Sequence, residues 1–234
     1  MIESVWMNLD FWHDKWERME IGFHLNEVNR LLMKFWPEMP VSAGETVLVP
    51  LCGKTLDLIW LRRQGYGVVG IELSEIALDA LAAEFSRELD IGLSKSRSDD
   101  GALVLFRGDG VLLIAGDFFA VSPELLQQEC DQDIAAVYDR AAIVALPDRM
   151  RADYARQLQR LTKGAPQLLI TLDYDQRLRN GPPFALSDAE VSSHYQDGYR
   201  ISLLDERELI DQEPRFRAQG LDSFMQRVYR LERR

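Results

Sequence analysis

The sequence predicts an α/β fold in which a mostly parallel sheet carries helices on both faces. Three observations lead there. Short apolar runs of strand length alternate with segments whose apolar residues recur at helical spacing. The chain is 234 residues long and 47% apolar, enough for one α/β domain with a substantial core. It has no internal repeat and no low-complexity linker, so a single domain is expected over residues 1–234, with residues 1–36 as a helical and aromatic cover.

The elements follow in order. His24 to Trp36 places Leu25, Val28, Leu31, Leu32, Phe35 and Trp36 on one helical face, and Pro37 and Pro40 end it. Thr46 to Pro50 is a buried-strand pattern, and Cys52-Gly53-Lys54 turns the chain into a helix running to Arg63, closed by Gln64-Gly65. Val68 to Ile71 is the next strand. Ser74 is the expected N-cap of a third helix whose buried stripe is Ala77, Leu81 and Phe85. Asp90 to Gly101 is polar and Ser-rich and is expected to be a loop. Ala102 to Phe106 and Val111 to Ala115 flank Arg107-Gly108-Asp109-Gly110, a hairpin pattern. Ile134 to Tyr138 is a buried strand. Pro147 to Leu161 is a helix with the stripe Met150, Tyr154, Leu158 and Leu161, stopped at Gly164. Gln167 to Leu172 is a strand. A Pro-rich loop at Gly181-Pro182-Pro183, a short helix near Ser187 to His194 and two late strands near Arg200 to Leu204 and Phe224 to Leu231 complete the chain.

Composition narrows the partners. A formal charge of -11 is the wrong sign for tracking nucleic-acid phosphates or an anionic membrane surface. Two cysteines, Cys52 and Cys130, make no disulfide framework and suit a reducing, cytoplasmic setting. Met1 to Phe11 has acidic residues and no Lys or Arg, unlike a secretory signal, and no apolar run approaches a membrane span. A monomer acting on a small molecule is expected, without nucleic acid or membrane.

In a parallel sheet, ligands sit beyond the carboxyl ends of the strands, so the residues there carry the chemistry. Pro50-Leu51-Cys52-Gly53-Lys54 has one of the three glycines of a dinucleotide fingerprint, which allows a close approach by something smaller than a pyrophosphate. Glu72 ends the second strand, 19 residues beyond Gly53, where an acidic side chain accepts from two ribose hydroxyls, although by itself a charged residue at a strand end is the plainer reading. Together they point to a nucleoside ligand without a diphosphate. Asp117 and Phe118, after the second hairpin strand, suit an adenine amino group and ring face, although a turn with core aromatics is the favoured reading of this segment in isolation. Arg140, in Tyr138-Asp139-Arg140, offers a planar fork to a carboxylate, and an ordinary ion pair is the plainer alternative. Trp6, Phe11, Trp12, Trp16 and Phe23 crowd the start of the chain and must pack on the domain or close over a ligand. His13 and His24 have no third partner at metal spacing, so no metal site is expected; His194 is expected on a helix surface. Cys52 has no neighbouring His and is expected to be inert.

Taken together, these segments resemble the thiopurine S-methyltransferase family, bacterial members included. The most specific matches are Phe11-Trp12-His13-Asp14-Lys15-Trp16 with Ile21-Gly22-Phe23-His24, then Val49-Pro50-Leu51-Cys52-Gly53-Lys54, Gly70-Ile71-Glu72-Leu73-Ser74-Glu75, Tyr138-Asp139-Arg140-Ala141-Ala142 and Gly181-Pro182-Pro183-Phe184. The resemblance implies a Rossmann-like class I methyltransferase sheet with a C-terminal antiparallel hairpin and S-adenosylmethionine as cofactor. It implies that Trp12 and Trp16 cover the cofactor, that Leu51 and Gly53 contact it through the turn, and that Glu72 holds the ribose. It also implies adenine contacts at Asp117 and Phe118, an acceptor-side aromatic at Phe23, and a cofactor or acceptor contact from Arg140. Arg215 matches the family's second active-site Arg, with Arg217 as its rival. The implied reaction is methyl transfer to the sulfur of aromatic or heterocyclic thiols, with selenium or tellurium species as further acceptors. Arg140 and Arg215 would stabilise the thiolate or orient the heterocycle. Two other readings stand beside this one: a nicotinamide-dependent oxidoreductase, against which the missing glycines count, and a non-catalytic adenosyl-ligand binding protein.

Overall fold

The structure, a computed structural model, describes residues 25–234. Trp12, Trp16, Phe23 and the rest of the early aromatic segment, with His13 and His24, lie outside the described residues. Two units make up the described chain: residues 25–33 with 41–134, and residues 34–40 with 135–234.

Helix α1, Arg30–Phe35, begins later than its apolar pattern suggests. Asn29 explains the delay. Its Oδ1 accepts from the Leu31 N–H at 2.8 Å and from that of Leu32 at 3.4 Å, which is an N-cap. Its own N–H donates to Asp57 Oδ1 at 2.8 Å, so the cap is tied to the neighbouring helix. Residues 25–29 are not helical.

In the first unit, β1 (Thr46–Pro50) leads through a turn to α2 (Leu56–Arg63), capped by Thr55. Next come β2 (Gly67–Glu72) and α3 (Glu75–Leu89), the latter capped by Ser74, whose Oγ accepts from the Ala77 N–H. Ala77, Leu81 and Phe85 are buried as their spacing requires. The stretch expected to be a loop from Asp90 to Gly101 instead contains a strand, β3 (Ser94–Arg97). All four of its residues are exposed, so it has no apolar pattern. Hydrogen bonding to β4 (Val104–Gly108) creates it, and Lys95 fastens it to α3 through Glu75 at 2.6 Å and Asp79 at 2.8 Å. The next connection is the expected hairpin: β4 pairs antiparallel with β5 (Val111–Ala115), Gly108 opposite Val111, around Gly110 at φ +62°. The strand order is β3-β4-β5-β2-β1, with β5, β2 and β1 parallel. Helix α4 (Pro123–Glu129) follows, a short element with one buried residue, Leu126, that has no place in the sequence-level prediction.

The second unit holds all but the first residue of β6 (Ile134–Arg140), then α5 (Asp148–Thr162), β7 (Gln167–Asp173), α6 (Asp188–Tyr195), β8 (Tyr199–Glu208), the single turn α7 (Pro214–Arg217) and β9 (Met225–Arg233). Strands β6 and β7 are parallel. Strand β9 lies antiparallel between β7 and β8, giving the order β6-β7-β9-β8 and the C-terminal antiparallel strands expected. Lys163 in the left-handed region at φ +54°, then Gly164, ends α5. Helix α6 carries a complete capping box between Ser187 and Glu190. Strand β6 runs two residues beyond its expected end at Tyr138, so Asp139 and Arg140 are its last rungs. Among the described residues, no helix is long and apolar enough to cross a membrane.

Candidate functional site

Three strand ends of the first unit meet at one residue, Glu72. Strand β1 ends at Pro50, and Leu51 takes φ +45°, a left-handed conformation that costs a branched residue about 1–2 kcal/mol. Gly53 follows at φ +55°. The Cys52 N–H donates to the Ile71 carbonyl at 3.0 Å, which docks the turn on the end of β2. Glu72 Oε2 accepts from the Gly53 N–H at 2.8 Å, and Oε1 accepts from the Ser74 N–H at 3.0 Å. The Glu72 carbonyl accepts from the Gly116 N–H at 2.9 Å, which brings in the end of β5. Glu72 is buried, at 6% exposure. Two N–H donors aimed at the carboxylate hold it in one rotamer. A carboxylate oxygen can accept more than one hydrogen bond, the general requirement for taking two adjacent hydroxyls beside backbone N–H groups.

The turn is tight because its packing is tight. A Cβ on Gly70 would lie 2.9 Å from Cys52 Sγ and 3.0 Å from Leu113 Cδ2, so glycine is needed there for the Cys52 turn to seat. Burial, then the Glu72 charge, pushes the Cys52 thiol well above its usual range, which makes it a packing group and not a nucleophile. At the β5 end, Gly116 has φ +142°. Asp117 Oδ1 accepts from the Phe119 N–H at 2.9 Å and caps the short turn Phe118–Ala120. Phe118 is buried in the core, with Phe119 edge-on at 5.6 Å. Of the positions read from the sequence, the structure thus brings together Leu51, Gly53, Glu72 and Asp117 around one set of backbone bonds.

The second unit holds Arg140 and Arg215. Arg140 is the half-buried last residue of β6, followed by Ala141 at φ +63°. Its neighbour Asp139 is 0% exposed, a burial that the run of charges after the strand did not suggest. Asp139 Oδ2 accepts from the Tyr154 hydroxyl at 2.7 Å and Oδ1 from the Ile143 N–H at 3.3 Å. Desolvation pushes its pKa up to about 6, against the lowering effect of those bonds. The clue in the sequence was Tyr154: a tyrosine on the buried stripe of a helix needs a polar partner.

Arg215 lies on α7. Its Nε donates to Glu213 Oε2 at 3.0 Å, and its guanidinium stands 4.6 Å from the centre of the Phe216 ring. Arg179 approaches the same ring at 4.5 Å while donating to the carbonyls of Pro182 at 3.1 Å and Pro183 at 3.4 Å. Arg217 turns instead to Asp211. Arg215 therefore shares a ring with the residue that ties down the Gly-Pro-Pro loop, and its rival does not. His194 is half-buried and edge-on to Tyr195, not on the open surface; its burial lowers its pKa.

The family model for thiopurine S-methyltransferases matches residues 7–234. A thiopurine S-methyltransferase of Pseudomonas putida is 42% identical over 224 residues, 95% of this chain and 98% of its own. One of Methylococcus capsulatus is 40% identical over 226 residues, covering 96% and 97%. Among solved structures, an S-adenosylmethionine-dependent methyltransferase from Anabaena variabilis superposes with a TM-score of 0.60 at 13% identity, over 97% of this chain and 95% of that one. The N-terminal domain of EvdMO1 with S-adenosylhomocysteine bound gives a TM-score of 0.56 at 16% identity, over 87% and 80%. At those identities the two structures speak for the fold alone.

Proposed function

The chain belongs to the thiopurine S-methyltransferase family, and from that premise we propose that it transfers the methyl group of S-adenosylmethionine to the sulfur of aromatic and heterocyclic thiols, thiopurines among them. The observation that carries the cofactor half of this reading is the buried Glu72 carboxylate, clamped by the Gly53 and Ser74 N–H groups beside a turn with two positive φ residues. It suits a ribose with free hydroxyls. The turn lacks the glycines that admit a pyrophosphate, so the nicotinamide oxidoreductase reading has no support, and family membership gives none to a non-catalytic binder.

The cofactor supplies a methyl group already activated by its sulfonium charge. The chain's work is then binding and orientation. Glu72 holds the ribose hydroxyls. The Leu51–Gly53 backbone lets the ligand approach, and Asp117 accepts from the adenine amino group. Aromatic thiols ionise near neutral pH, so no side chain need act as a dedicated base. Arg140 and Arg215 are assigned to the acceptor: their guanidinium groups stabilise a thiolate and align a flat heterocycle. Selenium and tellurium species share the soft, polarisable character of a thiolate and belong to the same acceptor class. The same reading makes the protein a cytoplasmic monomer, in keeping with its -11 charge and its two free cysteines.

Methyl-labelled S-adenosylmethionine offered with a panel of aromatic thiols, alkyl thiols and selenols tests the reading. Label in an S-methyl product, fastest with the acidic aromatic thiols, is expected. Label left in the cofactor with every acceptor would refute it.

A further inference from the structure

We propose that Asp139 is a positioning residue for Arg140, acting through the turn that it caps. The inference rests on the reading of Arg140 as an acceptor residue. In a strand, successive side chains point to opposite faces. Asp139 points inward and is fully enclosed, while Arg140 is half-buried. The backbone that follows is strained at Ala141, φ +63°, before the short turn Ile143–Ala145. A non-glycine residue holds that conformation only where its surroundings over-determine it. Asp139 is the group that does so: its carboxylate receives the Ile143 N–H and, from α5, the Tyr154 hydroxyl. The next residue along, Val144, accepts the Phe184 N–H at 2.6 Å, so the capped turn also anchors the end of the Gly181-Pro182-Pro183 loop.

A buried carboxylate is a costly way to fill a core. An apolar residue would pack there without desolvation, but it would release the Ile143 N–H and let Ala141 relax. The direction of the Arg140 Cα–Cβ bond would relax with it. Asp139 touches no reacting atom in this scheme. It sets the geometry of the guanidinium one residue away.

The test is a double-mutant cycle in the full chain with Asp139→Asn, Arg140→Ala and the pair. Product affinity is followed by titration with S-adenosylhomocysteine, and kcat and KM are measured with an aromatic thiol. Asp139→Asn is expected to lower kcat/KM for the thiol roughly 10- to 100-fold, as misplacement of a positioning group does. It should leave S-adenosylhomocysteine affinity within about twofold, and it should add nothing once Arg140 is Ala. If Asp139→Asn keeps the full rate, or costs the same factor in both backgrounds, the positioning role is overturned while Arg140 keeps its own. If Arg140→Ala alone leaves the rate unchanged, the reading of Arg140 fails and the positioning role with it. Should Asp139→Asn fail to fold, Tyr154→Phe carries the same test, because it removes one of the donors and leaves the carboxylate. Its smaller loss must also vanish in the Arg140→Ala background, and a loss that persists there overturns the proposal.

Discussion

Replacing Glu72 by Gln isolates the cofactor clamp with almost no change in shape. Both carboxylate oxygens accept from the backbone, Oε2 from Gly53 at 2.8 Å and Oε1 from Ser74 at 3.0 Å. An amide offers one oxygen and one NH2, so in either orientation an N–H donor faces another donor. One backbone bond is lost, along with the charge that would strengthen the proposed ribose contacts. A hydrogen bond to an ionised group contributes about 1.5–3 kcal/mol, and Glu72 is nearly sealed from the water that would replace it. A loss of about 1 to 3 kcal/mol in binding corresponds to a roughly 5- to 150-fold weaker Kd for S-adenosylhomocysteine. Glu72→Ala, which orphans both N–H groups, should unfold at lower denaturant than Glu72→Gln. Calorimetric titration gives the affinities, and circular dichroism confirms that the variants are folded. A folded Gln variant that binds as tightly as the parent would refute the ribose assignment.

Three further outcomes follow from the same geometry. Asp139 has a folded pKa of about 6 against 3.8 when free, so the folded state holds its proton more tightly. The stability this adds is complete below about pH 3.8 and gone above about pH 6, a swing of about 3 kcal/mol at 1.36 kcal/mol per unit. Urea unfolding at both ends of that window should show the parent losing stability relative to Asp139→Asn as pH rises; the opposite trend would contradict the burial. Gly70→Ala drives a Cβ to 2.9 Å from Cys52 Sγ and should cost about 1–3 kcal/mol by overpacking, partly recovered by Cys52→Ala, with Tm as the readout. Arg140→Lys should recover little of the rate lost in Arg140→Ala, since Lys lacks the planar fork, and the loss should be larger with an alkyl thiol than with an acidic aromatic one. Wild-type rates across pH in both variants would remove Arg140 from the site.

What was legible in the sequence was whatever burial imprints on it. Val47-Leu48-Val49 and Val68-Val69 are strands because both faces are covered, and Asp109-Gly110 marks its hairpin by backbone preference alone. Glu72 stood out only through its pairing with the one-glycine turn 19 residues before it, since a charge at a strand end is ordinary by itself. Other features depend on partners far along the chain. Strand β3 is polar and exposed and exists through β4 and the carboxylates of α3. The start of α1 is set by the Asn29 cap, which Asp57 holds from 28 residues away. Helix α4 spans seven residues with one buried side chain, too little for periodicity to register. Asp139 looked like a strand-end charge because its partner, Tyr154, is 15 residues on.

Whether this chain moves a methyl group from a sulfonium to a thiolate is decided by a stoichiometric transfer assay. The protein is mixed with S-adenosylmethionine carrying a labelled methyl group and with thiophenol as the acidic aromatic thiol, and both products are quantified by mass spectrometry. One labelled methyl thioether is expected for each S-adenosylhomocysteine, at a rate that falls in Arg140→Ala. S-adenosylhomocysteine released without thioether, or a cofactor that binds and stays intact across the acceptor panel, would contradict it.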